Sequence, residues 1–362
     1  MILSFAEIIK KTTNFNTHRY GEDKGGRNIT TITAADVIQM AQDFGADLAG
    51  IASAETLNAF PPDPRWPQTP ERMSPDAKSI IVLLLRVPVA SFRTKEPESY
   101  QMVNMLINRR LDKIARRVSE ALEKRGHFGL VMNNNSTDWE LKSGTYGHLS
   151  LRHLAVEAGL GTLGLGVNFM CAEYGPRVNL AVVVTDAELE PGEPMTEQLC
   201  VGEGCSRCLY ACPTDAVLHF HIDKRQCSIE AQTTGFYGAA DIFQKFLEED
   251  EQGRADVLSS QRMLHYWQGL TRVWGCFGTC PRCTAVCPVG DDYHEFLAEP
   301  QKVIPETTPE RIAKGKSYKE ARKAGDEVPG LSDWNVRWVG PDGYTGKAAK
   351  AQRNKFKAEQ TS

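Results

Sequence analysis

Residues 204–213 read GCSRCLYACP, and residues 279–288 repeat the same arrangement as TCPRCTAVCP. Each copy contains Cys-x2-Cys-x3-Cys-Pro, a pattern typical of proteins that bind iron–sulfur clusters. The first cysteines of such a run bind one cluster, whereas the cysteine before the proline lies too far round the loop and binds the other cluster. Two copies in one chain therefore predict two [4Fe–4S] clusters, each of which takes a ligand from the other copy.

The predicted ligand sets cross between the two copies. Nine of the ten cysteines lie between Cys200 and Cys287. The gap of four residues after Cys200 departs from the spacing of bacterial ferredoxins, so its role is less securely indicated by the pattern than those of its neighbours. The fourth ligand of the second cluster is open between Cys227 and Cys276. We assign Cys200, Cys205, Cys208 and Cys287 to the first cluster, and Cys212, Cys280 and Cys283 with that fourth ligand to the second.

A pair of zinc sites is the alternative reading of these cysteines, because zinc also accepts four thiolates. The two Cys-Pro units and the crossed ligand sets favour iron–sulfur clusters. Two clusters in series imply one-electron transfer toward a buried acceptor. The cysteine pattern therefore predicts a ferredoxin or a reductase that is fed by one.

Composition and charge narrow the possible partners. The chain has 362 residues, a formal net charge of -4 and a pI of about 6.1. Such a balance gives no global reason to expect a nucleic acid or a membrane surface as partner. No stretch approaches eighteen uninterrupted apolar residues, and the first residues show neither a secretory signal nor a twin-arginine pair. We expect a soluble cytoplasmic protein with a small-molecule substrate and no membrane partner, and nucleic acid as an unlikely one.

Helical and strand patterns alternate before the cysteines. Apolar runs predict strands at 79–85 and 177–189, and glycines are the predicted helix stops at Gly45, Gly126 and Gly159. This alternation predicts an α/β layer. The expected organisation is an N-terminal extension (1–33), an α/β core (34–194), a double [4Fe–4S] domain (195–300) and a polar C-terminal tail (301–362). The helices expected in the core begin with residues 34, 100 and 148.

Three glycines, Gly159, Gly161 and Gly164, match the string of the dinucleotide fingerprint. The fingerprint has to follow a strand and open a helix, whereas this one closes the helical segment 148–158. We therefore do not expect a nicotinamide site. The glycines still permit close approach of the backbone to a flat or bulky group.

With these residues in view, the chain resembles the cobalamin-dependent iron–sulfur reductases, the superfamily of the epoxyqueuosine reductases and reductive dehalogenases. The resemblance rests on the block AGLGTLGLGVNFMCAEYGPRVNLAVVVTDAELEPGEP (158–194), the segment IDKRQCSIE (222–230) and the two cysteine motifs. It implies a nitroreductase-like core that holds base-off cobalamin, with a bacterial-ferredoxin-like domain for the clusters. It also implies Cys227 rather than Cys276 as ligand, and a loop from Gly159 to Asn168 that faces the corrinoid. The implied corrinoid-binding residues are Gly159, Gly161, Gly164 and Asn168.

The resemblance also suggests a proton donor. Where epoxyqueuosine reductases carry an aspartate, this chain has Tyr146, and dehalogenases use a tyrosine with a neighbouring basic residue, for which EYGPRV supplies Arg177. A phenol beside a cation has a lowered pKa and can protonate a developing carbanion. We predict Tyr146 and Arg177 as catalytic residues, with Asp138 and His148 as rival donors.

The resemblance implies a corrinoid-dependent reductase that takes electrons from a ferredoxin, flavodoxin or reductase. Reductive dehalogenation of a small organic molecule is the first expectation, and deoxygenation of epoxyqueuosine is the second. No C-terminal helical-repeat region is visible in residues 300–362, which weakens the expectation of tRNA binding. Further alternatives are an electron-transfer protein that reduces the corrinoid of a partner, and a scaffold in which the clusters are structural.

Overall fold

The computed structural model describes residues 29–62, 67–93, 97–132, 138, 140–141, 147–218, 220–272 and 280–293, together with 309, 313, 316, 320 and 336–338. In these residues the strands are β1 (Leu48–Ser53), β2 (Ser79–Arg86), β3 (Gly129–Met132), β4 (Thr162–Leu163), β5 (Phe169–Met170), β6 (Val178–Thr185), β7 (Val217–Leu218), β8 (His221–Asp223) and β9 (Val336–Trp338). The α-helices are α1 (Ala34–Asp43), α2 (Ala54–Ala59), α3 (Pro97–Glu123), α4 (Leu151–Glu157), α5 (Arg207–Tyr210), α6 (Lys224–Ala231), α7 (Phe236–Glu248), α8 (Glu251–Ser259), α9 (Gln261–Arg272) and α10 (Arg282–Ala285). Short 3-10 turns lie at Pro70–Arg72, Val89–Arg93 and Gly202–Gly204.

The largest sheet has four strands in the order β1-β2-β6-β3, and every neighbouring pair is antiparallel. Strands β2 and β6 form its centre, where Val82 lies opposite Val182. The apolar runs at 79–85 and 177–189 therefore do form strands, as the sequence predicts. Together with the helices they give a mixed α/β architecture.

Both faces of this sheet are buried. Side chains alternate along β2, so that Ile80, Val82 and Leu84 lie in one apolar cluster while Ile81, Leu83 and Leu85 lie in another. Helix α4 packs on the first face, and α1 and α3 pack on the second. Each fully buried side chain of this size contributes about 1.5–3 kcal/mol. The core is therefore three layers thick, with the sheet in the middle.

The predicted helix stops are confirmed. Helices α1, α3 and α4 are followed within two or three residues by Gly45, Gly126 and Gly159, at φ values of 105°, 85° and 74°. Glycine adopts this left-handed conformation without the steric penalty of a side chain. At its other end α1 begins with a capping box, in which the Asp36 amide donates to Thr33 Oγ1 at 3.1 Å and the Thr33 amide donates to the Asp36 carboxylate at 3.0 Å.

The cysteine-rich part contains more helix than its motifs indicate. Short helices α5 and α10 each carry the middle cysteine of a motif copy, Cys208 or Cys283. Helices α7, α8 and α9 separate Cys227 from Cys280, and the sequence analysis did not predict them. Strands β7, β8 and β9 form a small antiparallel sheet beside α6. Among the described residues, none of the helices has an apolar stretch long enough to cross a bilayer.

Candidate metal centre

An open pocket brings the two cysteine motifs together. One wall is the β4–β5 hairpin with its turn, from Leu165 to Met170, and the opposite wall is the segment from Cys200 to Cys208. The 283–289 segment closes a third side. The cysteines in its lining are Cys200, Cys205, Cys208, Cys283 and Cys287.

The first predicted ligand set is brought together in this pocket. Burial raises the pKa of the Cys208 thiol well above its ordinary value, and nearby sulfurs add to the shift, first Cys283 of the second set and then Cys200, Cys287 and Cys205. Burial likewise raises the pKa of Cys287 to about 12, with contributions from Cys200 and Cys205. Cys287 comes from the second motif copy, whereas the other three thiols of the first set come from the first copy or just before it. The structure therefore brings together thiols from both copies, as the spacing predicts.

The members of the second predicted set also neighbour one another. Burial raises the pKa of Cys227 to about 12, and the nearby Cys283 and Cys212 add to it. Burial also raises the pKa of Cys280, to which Cys283 contributes. The nearby Cys212 in turn contributes to the raised pKa of Cys283. The structure therefore places Cys227 with this set, whereas the other candidate, Cys276, lies outside the described residues.

Several N–H groups point at these sulfurs. The amides of Leu165 and Gly202 donate to Cys200 Sγ at 3.4 and 3.3 Å. The amide of Ala216 donates to Cys212 Sγ at 3.2 Å. Such bonds stabilise sulfur in its anionic form, which is the form that binds iron. The donor set therefore fits iron–sulfur clusters, and Cys200 is as well supplied with donors as the cysteines of regular spacing.

None of the nine described cysteines forms a disulfide. Within the described part of the chain, no three His, Cys, Asp or Glu side chains are close enough to hold a single metal ion. The remaining cysteine of the nine, Cys171, is buried in the apolar cluster on the first face of the sheet, and its sulfur lies 3.8 Å from the carbonyl of Gly175. Burial raises its pKa to about 12.

The predicted corrinoid loop contacts protein atoms. A side-chain carbon built on Gly159 would lie 2.6 Å from the carbonyl oxygen of Glu193, and one on Gly161 would overlap the carbonyl oxygen of Met170. At Gly164 it would overlap the Met170 side chain and lie 3.2 Å from Cys200 Sγ. These contacts explain the three glycines through close packing of the chain on itself. Their corrinoid-binding role stays a prediction.

Asn168, the fourth residue predicted to bind corrinoid, reaches a cysteine. Its Nδ2 donates to Cys283 Sγ at 3.3 Å, across 115 residues of sequence. Its neighbour Gly166 approaches the other set, because a side chain there would lie 3.2 Å from Cys208 Sγ. The hairpin turn therefore lies between the two sets of thiols. The sequence analysis did not predict this contact, and the glycines on either side of the turn were its only local signal.

Arg177, predicted to assist catalysis, is a buried anchor with a side-chain exposure of 0%. Its guanidinium binds Asp292 Oδ1 through Nε at 3.1 Å and Nη2 at 2.5 Å. It also donates to the carbonyl oxygens of Cys287 at 2.9 Å and Val289 at 2.7 Å. These contacts favour a positioning role for Arg177 in the loop that carries Cys287. Its predicted partner Tyr146 lies outside the described residues.

The rival donor Asp138 forms an ion pair. Its carboxylate lies 2.8 Å from Arg72 Nη1, accepts the amide of Glu140 at 3.0 Å, and is 3.5 Å from His148 Nδ1. Burial acts to raise the pKa of Asp138, but the hydrogen bond from Arg72 and these other contacts outweigh it and hold the pKa below its ordinary value. Asp138 is therefore ionised at neutral pH and is poorly suited to give up a proton. His148, the other rival donor, lies beside it.

The chain is similar in sequence to two kinds of known reductase. No protein-family model matches the chain. An epoxyqueuosine reductase of Bacillus cereus is 25% identical over 322 residues, which cover 79% of this chain and 73% of that enzyme. The epoxyqueuosine reductase of Bacillus subtilis is 26% identical over 310 residues, covering 79% of this chain and 72% of that enzyme. A tetrachloroethene reductive dehalogenase of Dehalobacter restrictus is 28% identical over 145 residues, covering 39% of this chain and 24% of that protein.

Solved structures of the same two kinds resemble the chain weakly. An epoxyqueuosine reductase with an epoxyqueuosine-modified tRNA stem loop aligns with a TM-score of 0.44 at 22% identity, over 75% of this chain and 68% of that one. A reductive dehalogenase described as B12-dependent aligns with a TM-score of 0.45 at 18% identity, over 71% and 39%.

The sequence relatives confirm the predicted resemblance to the superfamily of epoxyqueuosine reductases and reductive dehalogenases. Within that superfamily, the similarity to the two Bacillus epoxyqueuosine reductases extends over about twice as much of this chain as the similarity to the dehalogenase.

Proposed function

We propose that the chain is an iron–sulfur- and cobalamin-dependent reductase that removes the oxygen of an epoxide, as an epoxyqueuosine reductase does. The observation that carries the proposal is the crossing of the two cysteine sets, in which Cys287 neighbours the first motif copy and Cys212 neighbours the second. A pair of clusters with exchanged ligands accounts for that arrangement in both copies.

The eight thiols Cys200, Cys205, Cys208, Cys287, Cys212, Cys227, Cys280 and Cys283 would hold two [4Fe–4S] clusters in a ferredoxin-like arrangement. Such clusters transfer single electrons, and cobalamin supplies a strongly nucleophilic and reducing cobalt. The N–H donors around the sulfurs support the clusters directly. Cobalamin is supported by the relatives. A nitroreductase-like core that holds it is proposed with it.

Dehalogenation was the first expectation from the sequence. The relatives favour epoxide deoxygenation instead. Conversion of an epoxide to an alkene consumes two electrons and two protons and releases one water. A substrate of this kind in tRNA would make nucleic acid the partner, contrary to the expectation from net charge. Dehalogenation is retained as a second candidate because Tyr146 stands where the epoxyqueuosine reductases carry an aspartate.

Residues of the chain would then donate the proton and hold the cluster ligands in place. Tyr146 is the proposed proton donor, and His148 is its rival beside the ionised Asp138. Arg177 holds the Cys287 loop in place through two carbonyl oxygens, so its proposed contribution is to position a ligand. The electron donor is proposed to be a ferredoxin, flavodoxin or reductase.

The test supplies the anaerobically reconstituted holoenzyme with a chemical reductant and either an epoxyqueuosine-containing tRNA stem loop or a panel of halogenated phenols. Formation of queuosine, lost in C208S, supports the proposal. Halide release without queuosine formation would transfer the assignment to dehalogenation. Turnover of neither substrate, with reduction of a partner's corrinoid instead, would favour an electron-transfer protein.

A further inference from the structure

The turn between β4 and β5 delivers a side-chain amide to one of the thiols of the second set. Asn168 Nδ2 lies 3.3 Å from Cys283 Sγ, and both residues line the pocket. Backbone amides donate to other sulfurs of the two sets, at Cys200, Cys212, Cys280 and Cys287, and the Thr284 amide donates to Cys283 as well. Since a backbone donor is fixed by the fold whereas a side chain can be exchanged, the strength of the bond to Cys283 depends on the identity of residue 168.

Val167, the residue before Asn168 in the turn, has an unfavourable backbone conformation. Val167 has a φ of 62°, in the left-handed region that β-branched residues avoid. Holding such a residue there costs on the order of 1–3 kcal/mol. Glycine would adopt this conformation freely, yet the chain has a valine with an exposure of 1%.

Three hydrogen bonds hold the turn in this shape. The Val167 amide donates to the carbonyl of Gly164 at 2.9 Å, and the Gly164 amide donates to the carbonyl of Asn168 at 3.0 Å. From helix α4, Arg152 Nη1 donates to the Val167 carbonyl at 2.5 Å. A strained conformation that the surroundings fix this firmly points to a function at the site. The contact that it produces is the one between Asn168 and Cys283.

We propose that Asn168, held by the Val167 turn, tunes the reduction potential of the second cluster through its hydrogen bond to Cys283. The inference rests on the proposed iron–sulfur function. A reduced cluster carries one more negative charge, so an N–H donor to a ligand sulfur stabilises it more than the oxidised cluster and raises the potential. Asn168 is a positioning residue in this account, because it acts through Cys283 and need not touch substrate.

The test is the variant Asn168→Leu, which keeps the side-chain shape and removes the donor. The holoenzyme is titrated with dithionite and followed by EPR, and the signal of the second cluster is assigned as the one lost in C227S. We expect the iron content of N168L to equal that of the wild type. We expect its second cluster to be about tenfold harder to reduce, which is about 59 mV for a one-electron couple.

The matched control is Gln198→Leu, the same amide-to-leucine exchange against the same hairpin. Gln198 donates to the carbonyl of Leu163 at 3.0 Å and accepts the amide of Cys200 at 3.2 Å, and it makes no bond to a sulfur. We expect Q198L to leave the potential of the second cluster unchanged.

Two outcomes overturn the inference. A full iron content in N168L with an unchanged potential would show that the bond does not tune the cluster. Loss of the second cluster from N168L would make Asn168 a structural requirement for assembly. A wild-type chain that binds no iron would instead refute the proposed function on which the inference rests.

Discussion

The guanidinium of Arg177, the residue before β6, donates to the backbone carbonyl of Cys287 at 2.9 Å across 110 residues of sequence. The same side chain pairs with Asp292 at 2.5 Å and is fully buried. A residue of the α/β core thus fixes the segment that contributes a thiol to the first set. This contact joins the core to the cysteine-rich part and underlies the first prediction.

Arg177→Met should destabilise the protein and release the first cluster. Removing one partner of a buried ion pair leaves an unpaired charge and costs about 3–5 kcal/mol, and the Cys287 loop loses its anchor as well. We expect the iron content to fall by about half, measured together with anaerobic urea unfolding. Arg86→Met, at the exposed end of β2, is the control and should retain both properties. Normal stability and iron in R177M with abolished turnover would restore the catalytic role predicted from sequence.

Serine substitutions should separate the two candidates for the eighth ligand. Cys227 neighbours Cys283 and Cys212, so C227S should lose one cluster, about half of the iron and sulfide. C276S and C171S should retain both clusters. Iron and sulfide analysis with EPR of the reduced protein measures this. A normal C227S together with a depleted C276S would move the ligand to Cys276.

Gly161→Ala should disturb the packing of the β4–β5 hairpin. The added carbon would overlap the carbonyl oxygen of Met170, a backbone atom that cannot move aside cheaply. We expect a loss of about 1–3 kcal/mol or more in the free energy of unfolding. Gly204→Ala is the matched control, because the nearest atom there is Val201 Cγ1 at 3.8 Å. Equal stability of the two variants would show that the hairpin yields easily and would weaken the packing explanation for this glycine.

Asp138→Asn should lower stability at neutral pH and do so less as the pH falls. The folded-state pKa of Asp138 is held below its ordinary 3.8, so its stabilising effect is present above that value and is lost as the pH falls through the folded pKa. We expect a cost of about 1–3 kcal/mol at pH 7, from urea unfolding of both proteins at several pH values.

Glu188→Gln, which removes an exposed partner of Lys78, is the control for Asp138→Asn and should change stability less. A pH-independent difference between D138N and the wild type would mean that the ionised carboxylate is not what stabilises the fold.

The α/β core could be predicted largely from the sequence, because its signals are local. The run SIIVLLL becomes β2, and Gly45, Gly126 and Gly159 follow three helices as expected. The crossed proximity of the cysteines also follows from spacing alone, since the Cys-Pro geometry fixes which thiol turns away from its own copy.

The remaining features depend on contacts between residues that are far apart in sequence. The segment EYGPRV gives no local indication that Arg177 is buried, so the sequence suggested it as a partner for Tyr146. The hydrogen-bond partners of Arg177 in the structure, Cys287 and Asp292, lie more than a hundred residues away. The close approach of the Met170 backbone, which requires glycine at position 161, likewise depends on a contact that the local sequence does not show. Helices α7–α9 lie between Cys227 and Cys280 and were not predicted from the sequence.

The most direct test of the central claim is the metal content of the protein, purified without oxygen after expression with hydroxocobalamin and examined by EPR. The account predicts about eight iron and eight sulfide per chain, the numbers that two [4Fe–4S] clusters require, together with one cobalt in a base-off Co(II) signal. Zinc in place of iron would contradict it outright. Eight iron without cobalt would leave the clusters in place but contradict the cobalamin-dependent reductase.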